Sequence, residues 1–401
     1  MNSYTMTGLD RLQQTPSLSK SWGRCALLCN QASLALNSAH STEVFQRLPG
    51  ISLSCLLSPQ HGISGTVQDN MIETSHSEHS SLNVPVHSLY SEVREPCPSM
   101  LETSDTLVID LQISGCRIYT FKATILACLK AAKAFRKKVV ILDRPNPLGG
   151  VVLEGGLADP LMDSFVNPGK IPMRHGLTAA EFALLMNGDI GCDLEYIALA
   201  GWDATKTWSG TGRNWILTSP NLPTADAVCL YPGMVLFEGC NVSEGRGTAL
   251  PFQLIGSPFL ENPLRLVHFV RELLGENLKG VLLRPTSFEP TFGKWRGKEC
   301  KGLQIHVSNP EEVRSFVLAI ALLQGFQELC GDGFQFRQPP YEYEYRRSPM
   351  DMILATAQSH EKLMSLPPED SFWNPDLTDY IDRIQDSLLY PREMKSPSFH
   401  L

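Results

Sequence analysis

The stretch VVILDRPNPLGG at residues 139–150 decides the fold. An apolar run ends abruptly in Asp143-Arg144-Pro145-Asn146-Pro147 and a Gly-Gly turn, the form of a fully buried parallel strand whose C-terminal end opens into a loop. The strand is scaffold and the loop is the candidate site. Open α/β sheets bind ligands beyond the carboxyl ends of their strands, so Asp143, Arg144 and Asn146 stand where chemistry is usually done. The same letters also suit a Pro-rich turn carrying a surface Arg–Asp pair.

Working outward, three further runs share the pattern. RCALLC at 24–29 ends at Asn30-Gln31, ISLSCLL at 51–57 ends at Pro59-Gln60-His61-Gly62, and TLVID at 106–110 ends at Asp110-Leu111-Gln112. Ile125, Leu126, Leu129, Ala132 and Phe135 recur at near-helical spacing between the third run and 139–142, which makes a βαβ crossover. Parallel strands bring all four polar ends to one sheet edge, so Asn30, Gln60, His61, Asp110, Gln112, Arg144 and Asn146 become one candidate pocket.

The rest of the chain reads more coarsely. A short helix is expected near 42–48, a polar surface loop over 63–83, and a capping box at Thr178 and Glu181 that opens a helix. Further strands are expected at 194–200 and 227–231. Past residue 251 the expectation is a helix over 263–275, strands at 280–283 and 302–307, an amphipathic helix over 311–329 and an aromatic, charged QPPYEYEYRR at 338–347. The fold class is α/β: a Rossmann-like, mostly parallel sheet domain over 1–250, then a smaller α+β C-terminal domain over 251–401.

Composition narrows the function. With 19% charged residues and a net charge of −8 among 401 residues, no basic field invites nucleic acid or an anionic membrane. The first residues lack a charged segment leading into an apolar one, and no later run is long enough to cross a bilayer, so a cytoplasmic protein is expected. Eleven cysteines sit mostly inside apolar runs, which suits reduced thiols. Cys25 and Cys29 share one strand too far apart to clamp a metal, and no second pair completes a zinc site, so no metal is expected. No G-x-G-x-x-G follows the first strand and no P-loop occurs, so no cofactor is expected either.

What remains is a pocket of carboxamides, carboxylates, Arg and His suited to a polar or singly anionic ligand such as a sugar acid. Sugar hydrolysis needs an acid for the leaving oxygen and usually a second carboxylate. Asp110, Asp143, Glu154 and Glu244 are available, and spacing alone does not choose between them. Arg174-His175 adds a cation and an imidazole on a loop, and Ser243-Glu244-Gly245-Arg246-Gly247 frees main-chain N–H groups beside an Arg.

Several segments together resemble the NamZ-type exo-β-N-acetylmuramidases, a bacterial glycoside hydrolase family. They are CNQAS at 29–33, PQHG at 59–62, DLQ…G.R.YT at 110–120, LDRPNPLGG with the trailing Glu154-Gly155, SFV…IPMRHGLT at 164–178, SPNLPT at 219–224, YPG…EG.N.SEGRGT..PF at 231–252, IHV at 305–307 and YEYE at 341–344. The resemblance implies a cleft between two domains and removal of N-acetylmuramic acid from the non-reducing end of peptidoglycan fragments, as in cell-wall recycling. It implies catalytic positions at Gln60, His61, Asp110 and Glu154. Substrate-binding positions follow at Asn30, Gln112, Arg117, Tyr119, Arg144, Asn146, Arg174, His175, Glu244 and Arg246, one of the last three Arg facing the lactyl carboxylate. The family usually reads P-E-H-G where this chain has Gln60, and a second Asp where it has Ile113. Glutamine cannot deliver a proton. The alternative to an active glycosidase is therefore a pseudoenzyme that binds muramic acid without turnover. Oligomeric state is not legible.

Overall fold

The computed structural model describes residues 4–68, 71–79 and 82–396. Its larger sheet has seven strands, β1 (Arg24–Cys29), β2 (Ser52–Ser58), β3 (Ser77–His79), β4 (Val84–Ser88), β5 (Thr106–Asp110), β6 (Lys138–Leu142) and β7 (Leu194–Ile197), in the order β3-β4-β2-β1-β5-β6-β7. All neighbours pair in parallel except β3 with β4. The chain leaves β1 toward β2 and returns to its other side at β5, so the topological switch point lies between the ends of β1 and β5.

Alternation explains why the central strands carry no polar face. Ala26, Leu28, Leu107, Ile109, Val139 and Ile141 enter one core, while Cys25, Leu27, Cys29, Val108, Val140 and Leu142 enter the other. Successive side chains point to opposite faces, so a sheet covered on both sides needs apolar residues throughout. The second face is covered by α1 (Gly8–Gln14) and α2 (Ser41–Gln46), which supply Leu9, Leu12, Val44 and Phe45. After the short α3 (Pro98–Leu101), the first face is covered by α4 (Phe121–Phe135) and α5 (Ala179–Ile190). The expected capping box is present: Thr178 accepts from the Glu181 N–H at 3.2 Å and Glu181 accepts from the Thr178 N–H at 2.9 Å.

The expected strand at 227–231 is instead part of a helix, α6 (Ala225–Met234), capped by Thr224. A short apolar run is ambiguous between the two forms, and here the cap decides. Three strands, β3, β4 and β8 (Leu254–Ser257), went unforeseen; β3 falls within the expected surface loop over 63–83, of which residues 69–70 and 80–81 lie outside the described residues.

The smaller sheet is antiparallel, β8-β10-β9, with β9 (Val281–Phe288) and β10 (Cys300–Val307). Against it packs α7 (Pro263–Leu274), and the mostly buried α8 (Ser315–Cys330) lies on α6 and α7; α9 (Pro349–Leu354), α10 (Ser359–Ser365) and α11 (Thr378–Ile384) follow. Where α6 crosses α8, a Cβ on Gly233 would lie 1.7 Å from the Ser315 carbonyl oxygen, so only glycine fits there. One continuous core runs from the large sheet into this region, and residues 389–395 return to the sheet domain, where Tyr390 Oη donates to Asp143 at 2.6 Å.

Candidate active site

The strand ends do gather on one edge, but they divide into a structural group and a cavity. Asp143 is fully buried, its carboxylate accepting from the Thr178 and Tyr390 hydroxyls at 2.8 and 2.6 Å and the Ala180 N–H at 3.0 Å. Burial pushes its carboxyl up to about 7. Arg144 donates from Nε and Nη2 to the two oxygens of Asp110 at 2.6 and 2.9 Å, both side chains buried. Asn30 and Asn146 turn inward to backbone, to the Thr218 and Leu177 carbonyls at 3.0 Å each. Gln112 and Arg144 also border a separate 440 Å³ hollow beside Leu34 and Trp208.

The cavity lies where the β2 end meets the C-terminal domain. From the end of β2 and the segment after β5 come Gln60, His61, Tyr119 and Thr120; from α6 and the chain after it come Tyr231, Glu238, Arg246, Phe252, Tyr341 and Glu342. His61 sits in the left-handed region at φ +72° with Nδ1 2.7 Å from the Val67 carbonyl. Gln60 accepts from the Thr120 hydroxyl at 2.6 Å and donates to the Tyr90 hydroxyl at 3.0 Å, and Tyr90 in turn donates to Glu342 Oε2 at 2.9 Å. Burial above all raises the Glu342 carboxyl to about 7, with Glu238 adding to the rise and Tyr90, Arg246 and Gln60 opposing it. Glu238 accepts from Arg246 at 2.6 Å and from the Tyr341 hydroxyl at 2.9 Å. The open space is about 30 Å³. That is room for a water rather than a pyranose ring.

Other expected site residues stand outside this cavity. Arg174 pairs with Glu154 at 3.0 Å, and Glu154 also accepts from the Phe316 N–H at 3.0 Å at the start of α8. Arg117 is buried and, among the described residues, has no carboxylate partner; it donates to Asn167 and to the Gly156, Ile171 and Ile353 carbonyls. Burial, then the charges of Lys122, Arg117 and Arg392, holds His175 well below its ordinary pKa, so it is neutral. Against the cost of burial, Lys294 at 2.6 Å and Arg246 at 3.3 Å keep the Glu244 carboxyl below its ordinary range. Each of the three arginines expected to meet a lactyl carboxylate thus already has a carboxylate partner, and only Arg246 lines the cavity. Among the described residues no three His, Cys, Asp or Glu are grouped to hold a metal.

Sequence reasoning did not single out Tyr90, Glu238 or Glu342. Glu342 lies in the YEYE segment, which was a usable signal; Tyr90 had none, since its partners are distant in the chain.

Fold and site define a two-domain α/β protein with a polar, carboxyl-lined cavity at the seam between sheet edge and C-terminal domain. Family models described as exo-beta-N-acetylmuramidase NamZ, N-terminal and C-terminal, match residues 25–226 and 229–390, and the chain belongs to that family. It is 34% identical over 332 residues to the peptidoglycan beta-N-acetylmuramidase NamZ of Bacillus subtilis (strain 168), covering 82% of this chain and 79% of that one. A crystal structure of a DUF1343 family protein from Bacteroides fragilis superposes with a TM-score of 0.85 at 26% identity, covering 97% of this chain and 99% of that one. A second such protein from the same organism gives 0.75 at 23%, covering 98% and 100%, a likeness of fold.

Proposed function

We propose that this protein hydrolyses the β-glycosidic bond of N-acetylmuramic acid at the non-reducing end of peptidoglycan fragments, at the cavity between its two domains. The observation that carries the proposal is convergence. Gln60, Tyr119, Arg246 and Tyr341, drawn from motifs spread over both family segments, surround one buried polar cavity. Convergent polar groups in a concave site at a domain junction are what a saccharide needs for orientation. Action in the cytoplasm on fragments recovered from the wall is supported by cysteine usage: among the described residues every cysteine is free, as a reducing compartment favours.

Gln60 itself favours a second reading, a protein that binds muramic acid without cleaving it. An aryl β-glycoside of N-acetylmuramic acid, assayed for chromophore release beside calorimetric titration with the free sugar, decides between them. Turnover supports the hydrolase. Binding without turnover supports the second reading, and the absence of both overturns the two together.

A further inference from the structure

Position 60 in this chain is an amide with no proton to give, so an active hydrolase must draw its proton elsewhere. The only other carboxyls bordering the cavity, among the described residues, are Glu238 and Glu342. Glu238 is paired with Arg246 at 2.6 Å and accepts from the Tyr341 hydroxyl at 2.9 Å. Glu342 has no cation within ion-pairing reach among the described pairs, and its neighbour is the Tyr90 hydroxyl, itself held by Gln60 and by the Met71 N–H at 3.2 Å.

The backbone around Glu342 is unusual in the same sense. Tyr341 and Glu344 close on each other through two N–H···O bonds of 2.9 Å, and the residues between them, Glu342 and Tyr343, both have positive φ, +44° and +66°. Turns of this kind favour Asn and Gly; side chains such as these are strained there and are kept where function holds them. The turn fixes Glu342 in the cavity wall beside Gln60.

We propose that Glu342 is the proton donor of this chain, a catalytic residue that takes over the task a carboxyl at position 60 would perform. This role rests on the hydrolase reading above. Glu342 gives its proton to the glycosidic oxygen as the bond from the anomeric carbon breaks, the bond's electron pair staying on that oxygen, which leaves as the alcohol. Water adds to the anomeric carbon, and the proton it sheds restores the Glu342 carboxyl in net. Gln60 becomes a positioning residue: its amide orders Tyr90, and Tyr90 orders the acid. A neutral side chain at position 60 also spares Glu342 a competing carboxyl. The charged and titratable groups facing Glu342 are Glu238, Arg246, Tyr90 and Tyr341, with Arg94 stacked on the Tyr90 and Tyr343 rings.

The test compares two leaving groups. For Glu342→Gln, cleavage of a β-linked N-acetylmuramyl-N-acetylglucosamine disaccharide, which needs the proton, should fall by ~10²–10⁴-fold. The 2,4-dinitrophenyl β-glycoside needs no protonation and should lose less than about tenfold. Equal losses on both substrates, or none, overturn the donor role while leaving the hydrolase reading intact. A wild type that binds N-acetylmuramic acid but cleaves neither substrate overturns the hydrolase reading and the donor role with it. Tyr90→Phe is the second variant, valid even if Glu342→Gln does not fold. Removing a hydroxyl that donates to the carboxylate should move the basic limb of disaccharide turnover to higher pH, and an unmoved limb overturns the proposal.

Discussion

The Arg144 guanidinium closes on the Asp110 carboxylate with two hydrogen bonds, 2.6 and 2.9 Å long, and so ties the C-terminal end of β5 to that of β6. Both groups are shut away from water. Breaking a buried pair by removing one partner leaves an uncompensated charge and costs about 3–5 kcal/mol. Asp110→Ala should therefore shift the urea unfolding midpoint by a loss of that order, and Arg144→Ala likewise. The double variant should lose less than the sum of the two; strict additivity would mean that the pair is not coupled.

Glu154 joins the sheet domain to α8 through Arg174 and the Phe316 N–H, both at 3.0 Å. An anion at a helix N-terminus is favourable there. Glu154→Gln keeps the shape and removes the charge, and is expected to destabilise by about 3 kcal/mol. Thermal unfolding should show the loss, with turnover per folded molecule retained. Loss of turnover in a fully folded variant would return Glu154 to the chemistry.

Gln60→Glu brings a second carboxyl to the Tyr90 hydroxyl that Glu342 already accepts from. Neighbouring carboxyls share one proton and titrate as a pair. Turnover at pH 7 should rise by less than about tenfold, well short of the ~10²–10⁴ that a newly supplied general acid gives, and the basic limb of the pH profile should move upward. Kinetics from pH 5 to 9 would check both.

Lys122 is buried among carbonyls and near Arg117, donating to the Tyr119 oxygen at 3.3 Å and to the Cys116 oxygen. Burial first, and Arg117 after it, lowers its ammonium from 10.5 to about 7. The folded state thus releases this proton before the unfolded chain does, so Lys122's contribution to stability rises with pH from about 7 to 10.5. Chemical denaturation across that window should show less of this rise for Lys122→Met than for the natural chain.

The sheet was legible because its four central strand ends announce themselves: apolar runs stop at Asn30, Gln60, Asp110 and Asp143. The site was legible only in part. Gln60, His61, Tyr119 and Arg246 do line one cavity, while Asp110, Glu154, Arg174 and Asn146 spend their polar atoms on neighbours that no spacing reveals. Glu154 and Arg174 lie on facing backbone segments, and Arg174 reaches the Val313 carbonyl 139 positions on. Tyr90 and Glu342 are 252 residues apart, so their hydrogen bond exists only once the two domains have met.

The return of residues 389–395 to the sheet domain governs how the protein can be made. Asp143 takes its shortest hydrogen bond from Tyr390, Glu181 is gripped by Arg392 at 2.7 and 2.6 Å, and Lys395 N donates to the Val151 carbonyl at 2.8 Å. Domains commonly fold in order as they leave the ribosome, N-terminal first. Here the first domain to emerge waits for the Tyr390 and Arg392 partners of two buried carboxyls until nearly the whole chain has been translated. Its maturation is therefore set by the arrival of a distant clasp, and a nascent chain halted before Tyr390 would hold an open, protease-sensitive sheet.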